Sequence, residues 1–263
     1  MSRQSSNLPA WTATDLAGDP HVAPDKGDRV RRMFESIAPT YDLNNRLHSF
    51  GQDQRWRRRA VALAGLRPGD RVLDVACGTG DLTEAFAAAS DASGGGGEVV
   101  GVDFTPAMLE RARKRSERLP EHRRPRYELA DAMALPFADQ SFNVVSIAFG
   151  IRNVSAPPRA LAEFRRVLRP AGRLVVLEFG RPRNPVVRVA NDVYCRTIMP
   201  WTAGLVARDR VGAYRYLPRS VATFPDREAF AAMVGAAGFK DVRQVDLTFG
   251  VCAVTVGMVD DRV

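Results

Sequence analysis

Arg71-Val-Leu-Asp74-Val-Ala-Cys77-Gly78-Thr79-Gly80-Asp81 is the stretch that decides the fold. The turn signal Pro68-Gly69-Asp70 precedes it. The apolar run to Cys77 suits a strand buried on both faces of a parallel sheet. Glycines at 78 and 80 let the backbone turn sharply and come close to a ligand. The helix expected from Asp81 to Ala89 would present unpaired N–H groups at its start. Strand, glycine turn and helix together make one unit of a doubly wound α/β sheet.

The same rhythm continues outward. Past the loop Ser90–Gly97, strands are expected at Glu98–Phe104, Arg126–Ala132, Phe142–Phe149 and Arg173–Phe179. Helices are expected at Pro106–Arg118, with Thr105 as N-cap, and at Pro157–Leu168, whose Leu161, Phe164, Val167 and Leu168 share a face. The rhythm breaks after 180. Residues 181–225 read as a helical insertion, Asp226–Ala237 as a helix, and Val242–Phe249 and Val251–Met258 as an antiparallel pair around Gly250. The expected sheet has seven strands, mostly parallel, the last reversed. Before the core, Asp28 to Ala64 has a polar helical pattern broken near Pro39 and Gly51. The expected organisation is therefore a disordered tail over 1–26 and one domain over 27–260. That domain comprises a helical cap (27–66), a ligand-binding core (67–180), a lid (181–225) and a final helix with strand pair (226–260).

Three acidic residues end three successive strands: Asp74, Asp103 and Asp131. Ligands of doubly wound sheets bind at the carboxyl ends of the strands, and a carboxylate after the second strand can accept from both hydroxyls of a ribose. The third glycine of a dinucleotide fingerprint is absent, since Thr83 follows Leu82. Asp74, four residues before Gly78, suits a ligand that carries a positive amine. S-adenosylmethionine (SAM) has that amine, a ribose and an adenine. The three acids together favour a SAM-dependent methyltransferase of the Rossmann-like class I fold, with Asp74, Gly78, Gly80, Asp103, Asp131 and Ala132 as cofactor-binding candidates.

Composition narrows the alternatives. The 263 residues are 45% hydrophobic and 26% charged, as expected of a folded globular chain. No apolar stretch is long enough for a membrane span, and the first residues lack the apolar middle of a secretory signal, so a cytoplasmic protein is expected. Cys77, Cys195 and Cys252 are too dispersed for a zinc or disulfide framework, and no metal is expected. The net charge of +8 favours anionic partners, and much of it lies between Arg111 and Arg126. No aromatic side chains interleave there as stacking platforms, which argues against nucleic acid.

Narrower motifs flank the cofactor loop. They include Phe34-Glu-Ser-Ile-Ala-Pro-Thr-Tyr41-Asp42, Ser49-Phe-Gly51 with Trp56, Phe149-Gly-Ile-Arg152-Asn153-Val154, and Tyr214-Arg-Tyr216-Leu217-Pro-Arg-Ser220. From about Arg29 to Gly257 the chain resembles the UbiE/MenG/COQ5 family of quinone-biosynthesis C-methyltransferases. By motif position, the resemblance implies cofactor contacts at Thr79, Asp103, Asp131 and Ala132, with Phe104 and Met108, from the matching stretch Gly101-Val-Asp103-Phe-Thr-Pro-Ala-Met108-Leu109, as further cofactor-binding candidates. It puts Ala148 where relatives commonly carry a contacting serine. It also implies methylation of a ring carbon of a polyprenylated quinol, with Arg152, Asn153 and Tyr41 as catalytic candidates and Tyr214 and Tyr216 lining the quinol pocket. Asp53, in a Gly-Gln-Asp-x-x-Trp-Arg pattern, points toward demethylmenaquinol rather than the ubiquinone-pathway benzoquinol, while His48 is not read as a base.

The insertion mixes Val186, Val187, Val189, Val193, Ile198, Met199, Trp201, Leu205 and Val206 with arginines at 181, 183, 188, 196, 208 and 210. Such a segment suits an anionic membrane surface on the inner face, an ordinary lid on the core, or the seam of a homodimer; all three stay open. So does methylation of another phenolic small molecule. An RNA-binding relative of methyltransferases rests on the basic stretch alone.

Overall fold

A computed structural model describes residues 10–198 and 212–261 of the chain. Seven strands form a single sheet in the order β3-β2-β1-β4-β5-β7-β6. They are β1 (Val72–Val75), β2 (Val99–Asp103), β3 (Arg126–Leu129), β4 (Phe142–Ala148), β5 (Leu168–Phe179), β6 (Lys240–Leu247) and β7 (Cys252–Met258). The first five run parallel, and β7 is antiparallel to both β5 and β6, which makes it the reversed strand. β5 starts earlier than the expected Arg173, and Pro170-Ala-Gly172 lies within it as an irregularity. Ala171 has positive φ there, and a Cβ on Gly172 would stand 2.7 Å from the Arg169 carbonyl.

β1 supplies the centre because both its faces are buried. Leu73 and Val75 pack, with Val145, Ile147, Leu174 and Val176, against α6 (Pro157–Val167) through Leu161, Phe164 and Val167. Val72, with Val144, Val175 and Leu177, packs on α3 (Gln52–Ala64) and α4 (Asp81–Ala92) through Trp56, Ala60, Leu82 and Phe86. Side chains that alternate across a doubly covered sheet produce this near-continuous apolar run. α5 (Pro106–Ser116) joins β2 to β3.

The N-terminal cap is α1 (Lys26–Ile37) and α2 (Tyr41–His48), followed by α3. In the insertion, α7 (Pro185–Val193) leads into a wider turn over Tyr194–Ile198, and α8 (Ala213–Thr223) follows the undescribed stretch. Met199, Trp201, Leu205, Val206, Arg208 and Arg210 lie outside the described residues, as do the side chains of Arg196, Ile198 and Tyr214. α9 (Arg227–Ala236) begins at an Asp226 N-cap, whose carboxylate accepts from the Ala229 N–H.

One expectation is corrected. Residues 10–25, read as tail, are packed: Trp11 is fully buried and stacks on Tyr216 of α8, with ring centroids 4.7 Å apart. His21 donates from Nε2 to the Ser220 carbonyl at 2.8 Å, and Arg219 donates to the carbonyls of Ala17 and Gly18. The segment has too few apolar residues for a periodicity, so its aromatic anchor and polar latches leave no regular pattern in the sequence.

Candidate functional site

The turn after β1 is built for close approach. Gly78 and Gly80 have φ of +56° and +88°. A Cβ at Gly80 would lie 2.4 Å from the Tyr127 hydroxyl oxygen, and one at Gly101 of β2 would lie 2.8 Å from the Tyr127 ring. These glycines admit Tyr127 beneath the loop as well as freeing the backbone. At the end of β4, Phe149 adopts φ +55°, a conformation uncommon outside glycine, as does Ala76 after β1. Gly150 must lack a side chain because its Cβ would come within 2.7 Å of that of Ala76.

The strand ends open into a cavity of about 640 Å³, within the range of cofactor sites. Asp103 lies in its wall. One carboxylate oxygen accepts from the Gly78 N–H at 2.9 Å and the other from the Thr105 N–H at 2.8 Å. Burial pushes its pKa up, and these N–H groups oppose that by favouring the charged form. The anchored carboxylate keeps acceptor capacity for a diol. Around it, Phe104, Met108, Leu129, Ala132 and Met133 make a mostly apolar slot, with Asp131 at the exposed rim. The Asp131 carboxylate accepts from the Met133 N–H, which turns the chain so that Ala130 to Met133 line the slot. This donor and acceptor set is one that an adenosine would fit, with Asp103 free to accept from a ribose, Asp131 and Ala132 at the edge of the slot and Met108 and Phe104 on its faces. Ala148, where a serine was the family expectation, lines the same cavity and offers only a methyl group.

Three candidates sit behind the wall rather than in it. Asp74 is almost fully buried and does not line the cavity. Its carboxylate accepts from the hydroxyls of Thr83 at 2.6 Å and Ser146 at 2.7 Å, and burial raises its pKa to about 6. It shares the β1 face of Val72, which points beneath α4, so it braces the turn from below. Thr79 is buried and donates to Asp42 at 2.5 Å, tying the loop to α2. Gly80 serves the packing of Tyr127. Conversely, Asp25, Gly27, Asp28 and Arg31 of the α1 region and Phe34 line the cavity, and sequence reasoning missed them. Phe34 opens one of the narrow motifs, and the signal of the others was the polar face of α1.

A second cavity of about 230 Å³ adjoins the first. Phe34, Tyr41, Phe149 and Asn153 line both. Its walls are chiefly aromatic and apolar, with Trp56, Phe179, Tyr194, Tyr216, Leu217 and Val221, and its polar groups include Arg152, His48 and Asp53. Arg152 is buried. Its guanidinium donates to Glu178 at 2.6 Å and to the Phe149 carbonyl at 2.9 Å, and lies 5.3 Å over the Phe179 ring. Asn153 donates to the same Phe149 carbonyl at 3.1 Å and accepts from the Tyr216 hydroxyl at 3.0 Å. Burial raises the Tyr216 phenol to about 12 and raises that of Tyr41, so both are protonated hydroxyls at neutral pH. Glu178 and Ser220 hold Arg152; Ser220 closes one of the narrow motifs, but neither residue was among the site candidates. Asp53 is engaged by Arg46 at 2.6 Å, Arg57 at 3.0 Å and Ser49 at 3.0 Å, so it organises the start of α3.

Elsewhere the surface accounts for part of the basic stretch. Arg115 pairs with Asp81 and Glu84, Arg123 with Asp91, and Arg126 with Glu98 and Glu128. The three cysteines are free, and among the described residues no cluster of metal-ligating side chains occurs and no helix is long and apolar enough to cross a membrane.

The model of the ubiE/COQ5 methyltransferase family matches residues 23–259. The chain is 51% identical to a demethylmenaquinone methyltransferase of Thermus thermophilus, covering 86% of this chain and 99% of that one. It is 46% identical to a ubiquinone/menaquinone biosynthesis C-methyltransferase UbiE of Citrifermentans bemidjiense, covering 89% and 97%. A solved SAM-dependent methyltransferase of Thermotoga maritima, a possible histamine N-methyltransferase, shares the fold: TM-score 0.59, 22% identity, and 87% and 99% coverage.

Proposed function

This chain belongs to the ubiE/COQ5 methyltransferase family, and from that premise we propose that it methylates a ring carbon of a polyprenylated quinol, demethylmenaquinol first among them. It is a SAM-dependent C-methyltransferase. When bound, SAM supplies an electrophilic methyl group. The observation that carries the reading is the shared wall of Phe34, Tyr41, Phe149 and Asn153: a cofactor cavity and an aromatic cavity meet there, as transfer between two bound reactants requires.

The chain's own part is positioning and charge. Phe104, Met108 and Asp103 hold the adenosine. The aromatic walls of the second cavity hold a flat ring and keep it dry. The nucleophile is a ring carbon beside a hydroxyl, and its electron density rises as that hydroxyl loses its proton. Arg152, at the junction loop, stabilises the resulting oxyanion; because Glu178 neutralises it, it acts through its directed N–H groups more than through net charge. The amide of Asn153 orients the ring, and Tyr41 closes the junction from α2. The methyl group's bond to sulfur would break as its bond to the ring carbon forms, leaving S-adenosylhomocysteine; the ring carbon then loses its proton to solvent, the oxyanion regains one, and aromaticity returns. Tyr214 is retained as a pocket candidate from its motif position alone.

A prenyl tail is too long for a cavity of this size to enclose, and Asn191 and Tyr194 of the insertion are part of the cavity wall. Exposed Val186, Val189 and Val193 on α7, and Leu43, Leu47 and Phe50 at α2, give an apolar surface, and the Phe50 and Tyr194 rings lie 5.7 Å apart. With Arg181 and Arg183 exposed nearby in sequence, this favours docking on an anionic membrane over a homodimer seam. Flotation with anionic vesicles at low salt tests it; a chain that stays at the bottom of the gradient removes the membrane part of the proposal.

The reaction itself is tested by transfer from labelled SAM to short-tailed demethylmenaquinol under reducing conditions, with the matching benzoquinol in parallel. Label in the naphthoquinol product is the expected outcome. Label in neither, with SAM bound, would move the acceptor to another phenol.

A further inference from the structure

Lys26, the first residue of α1, is 2% exposed, yet none of its partners is a carboxylate. Its ammonium donates to the carbonyl of Arg152 at 2.9 Å, to that of Val154 at 2.6 Å and to His21 Nδ1 at 3.1 Å. His21 passes the constraint on, since its Nε2 bonds the Ser220 carbonyl and Ser220 Oγ accepts from Arg152 Nε. A buried lysine with only neutral acceptors is costly, and such a group is retained where its geometry matters. The two carbonyls it holds flank Asn153, the residue that faces both cavities. The next residue, Gly27, lines the cofactor cavity and packs on Ser155, 3.2 Å from where a Cβ would stand.

We propose that Lys26 is a positioning residue: its ammonium, backed by His21, clamps the Arg152–Val154 backbone so that Asn153 stays at the junction of the two cavities and the start of α1 over the cofactor cavity is locked to the acceptor side. This rests on the methyltransferase reading of that junction. It assigns to the N-terminal segment a part in the chemistry beyond folding.

The groups facing the ammonium are His21 and Asp19 from the 20–22 turn and Arg152 from the loop, with Glu178 behind Arg152. Asp25 and Asp28 near it in the chain are exposed at the cavity rim. Burial first, and Arg152 second, lower the Lys26 pKa to about 8, against the opposing pull of Asp19. A neutral amine has two protons for three acceptors, so one clamp is released.

The test compares wild type, Lys26→Met and Lys26→Arg in four measurements: kcat, SAM affinity, melting temperature, and amide hydrogen exchange over residues 151–155. Lys26→Met should lower kcat on the order of ten- to a hundred-fold, the cost of a slight misplacement. It should speed exchange of the loop while leaving SAM affinity within about three-fold. Lys26→Arg should recover most of the turnover, because it donates to the same carbonyls. The proposal is overturned if Lys26→Met keeps wild-type kcat and loop exchange, or if kcat, SAM affinity and melting temperature fall together without recovery in Lys26→Arg. Should Lys26→Met not fold, pH decides. As pH rises through about 8, wild type should lose turnover relative to Lys26→Arg, whose charge persists; parallel profiles would overturn the clamp. Failure of the acceptor reading shows differently, as a wild type that transfers no methyl to either quinol while loop exchange still responds to Lys26→Met.

Discussion

The Tyr216 hydroxyl donates to Asn153 Oδ1 at 3.0 Å, and Asn153 in turn donates through Nδ2 to the Phe149 carbonyl at 3.1 Å. Both bonds are buried, and together they fix which way the amide presents itself to the two cavities. Tyr216→Phe removes one bond without changing the ring that stacks on Trp11. The expected outcome is a stability loss of about 1 kcal/mol, the usual net worth of such a bond. A several-fold lower kcat with unchanged SAM affinity should accompany it. Denaturant unfolding and steady-state rates check this; a wild-type kcat would detach Tyr216 from the orientation of Asn153.

Asp103 offers a sharper test because it is the one strand-end acid that is both buried and in the cofactor wall. Asp103→Ala removes the acceptor proposed for the two ribose hydroxyls and strands the N–H groups of Gly78 and Thr105. Hydrogen bonds to a charged acceptor contribute about 1.5–3 kcal/mol each, so SAM affinity should fall at least about ten- to a hundred-fold. Calorimetric titration measures it. Retention of wild-type affinity by a folded variant would place the ribose elsewhere.

These two residues also mark how far the sequence could be read. Strand ends, glycine turn and reversed last strand were legible because burial on both sheet faces writes a strong apolar pattern around Asp74, Asp103 and Ser146. The pattern does not say whether a strand-end acid points at the ligand or under the next helix. Asp103 and Asp131 line the cavity, whereas Asp74 turns under α4 to meet Thr83 and Ser146. The N-terminal segment was illegible for a different reason. Trp11, His21 and Lys26 act through single long-range contacts to α8 and the 151–154 loop, and such contacts leave no periodicity to detect. Glu178 was hidden likewise, since an acid at the end of a buried strand reads as an exception until its partner Arg152 is seen 2.6 Å away.

Arg152 and Glu178 form a buried pair in which removing one member leaves an unmatched charge. Glu178→Gln keeps the shape and takes away the anion. Broken buried pairs cost about 3–5 kcal/mol, and for a chain of this size each kcal/mol lowers the melting temperature by about 2–4 °C. The variant should melt about 6–20 °C lower. Turnover should fall too, because the loop that Arg152 anchors to the Phe149 carbonyl loosens. Scanning calorimetry would show it. An unchanged melting temperature would mean that the pair is solvated in solution.

Asp74 provides a pH test with a definite sign. Burial raises its pKa in the folded chain to about 6, from an ordinary 3.8. The folded state therefore holds the proton more tightly than the unfolded state does. The group's contribution to stability is fully present below pH 3.8 and is lost as pH rises through about 6. The gap between those two values corresponds to about 3 kcal/mol. Asp74→Asn is always neutral and escapes that loss, although an amide bonds the two hydroxyls less well than a carboxyl group does. Relative to wild type, the variant should gain on the order of 3 kcal/mol between about pH 4 and pH 7 in urea unfolding. Its SAM affinity should stay within about three-fold, because the side chain lies outside the cavity wall. A pH-independent difference would mean that the folded carboxyl titrates normally. A collapse of SAM affinity in a stable Asp74→Asn chain would return Asp74 to the cofactor's amine, where the strand-end pattern first put it.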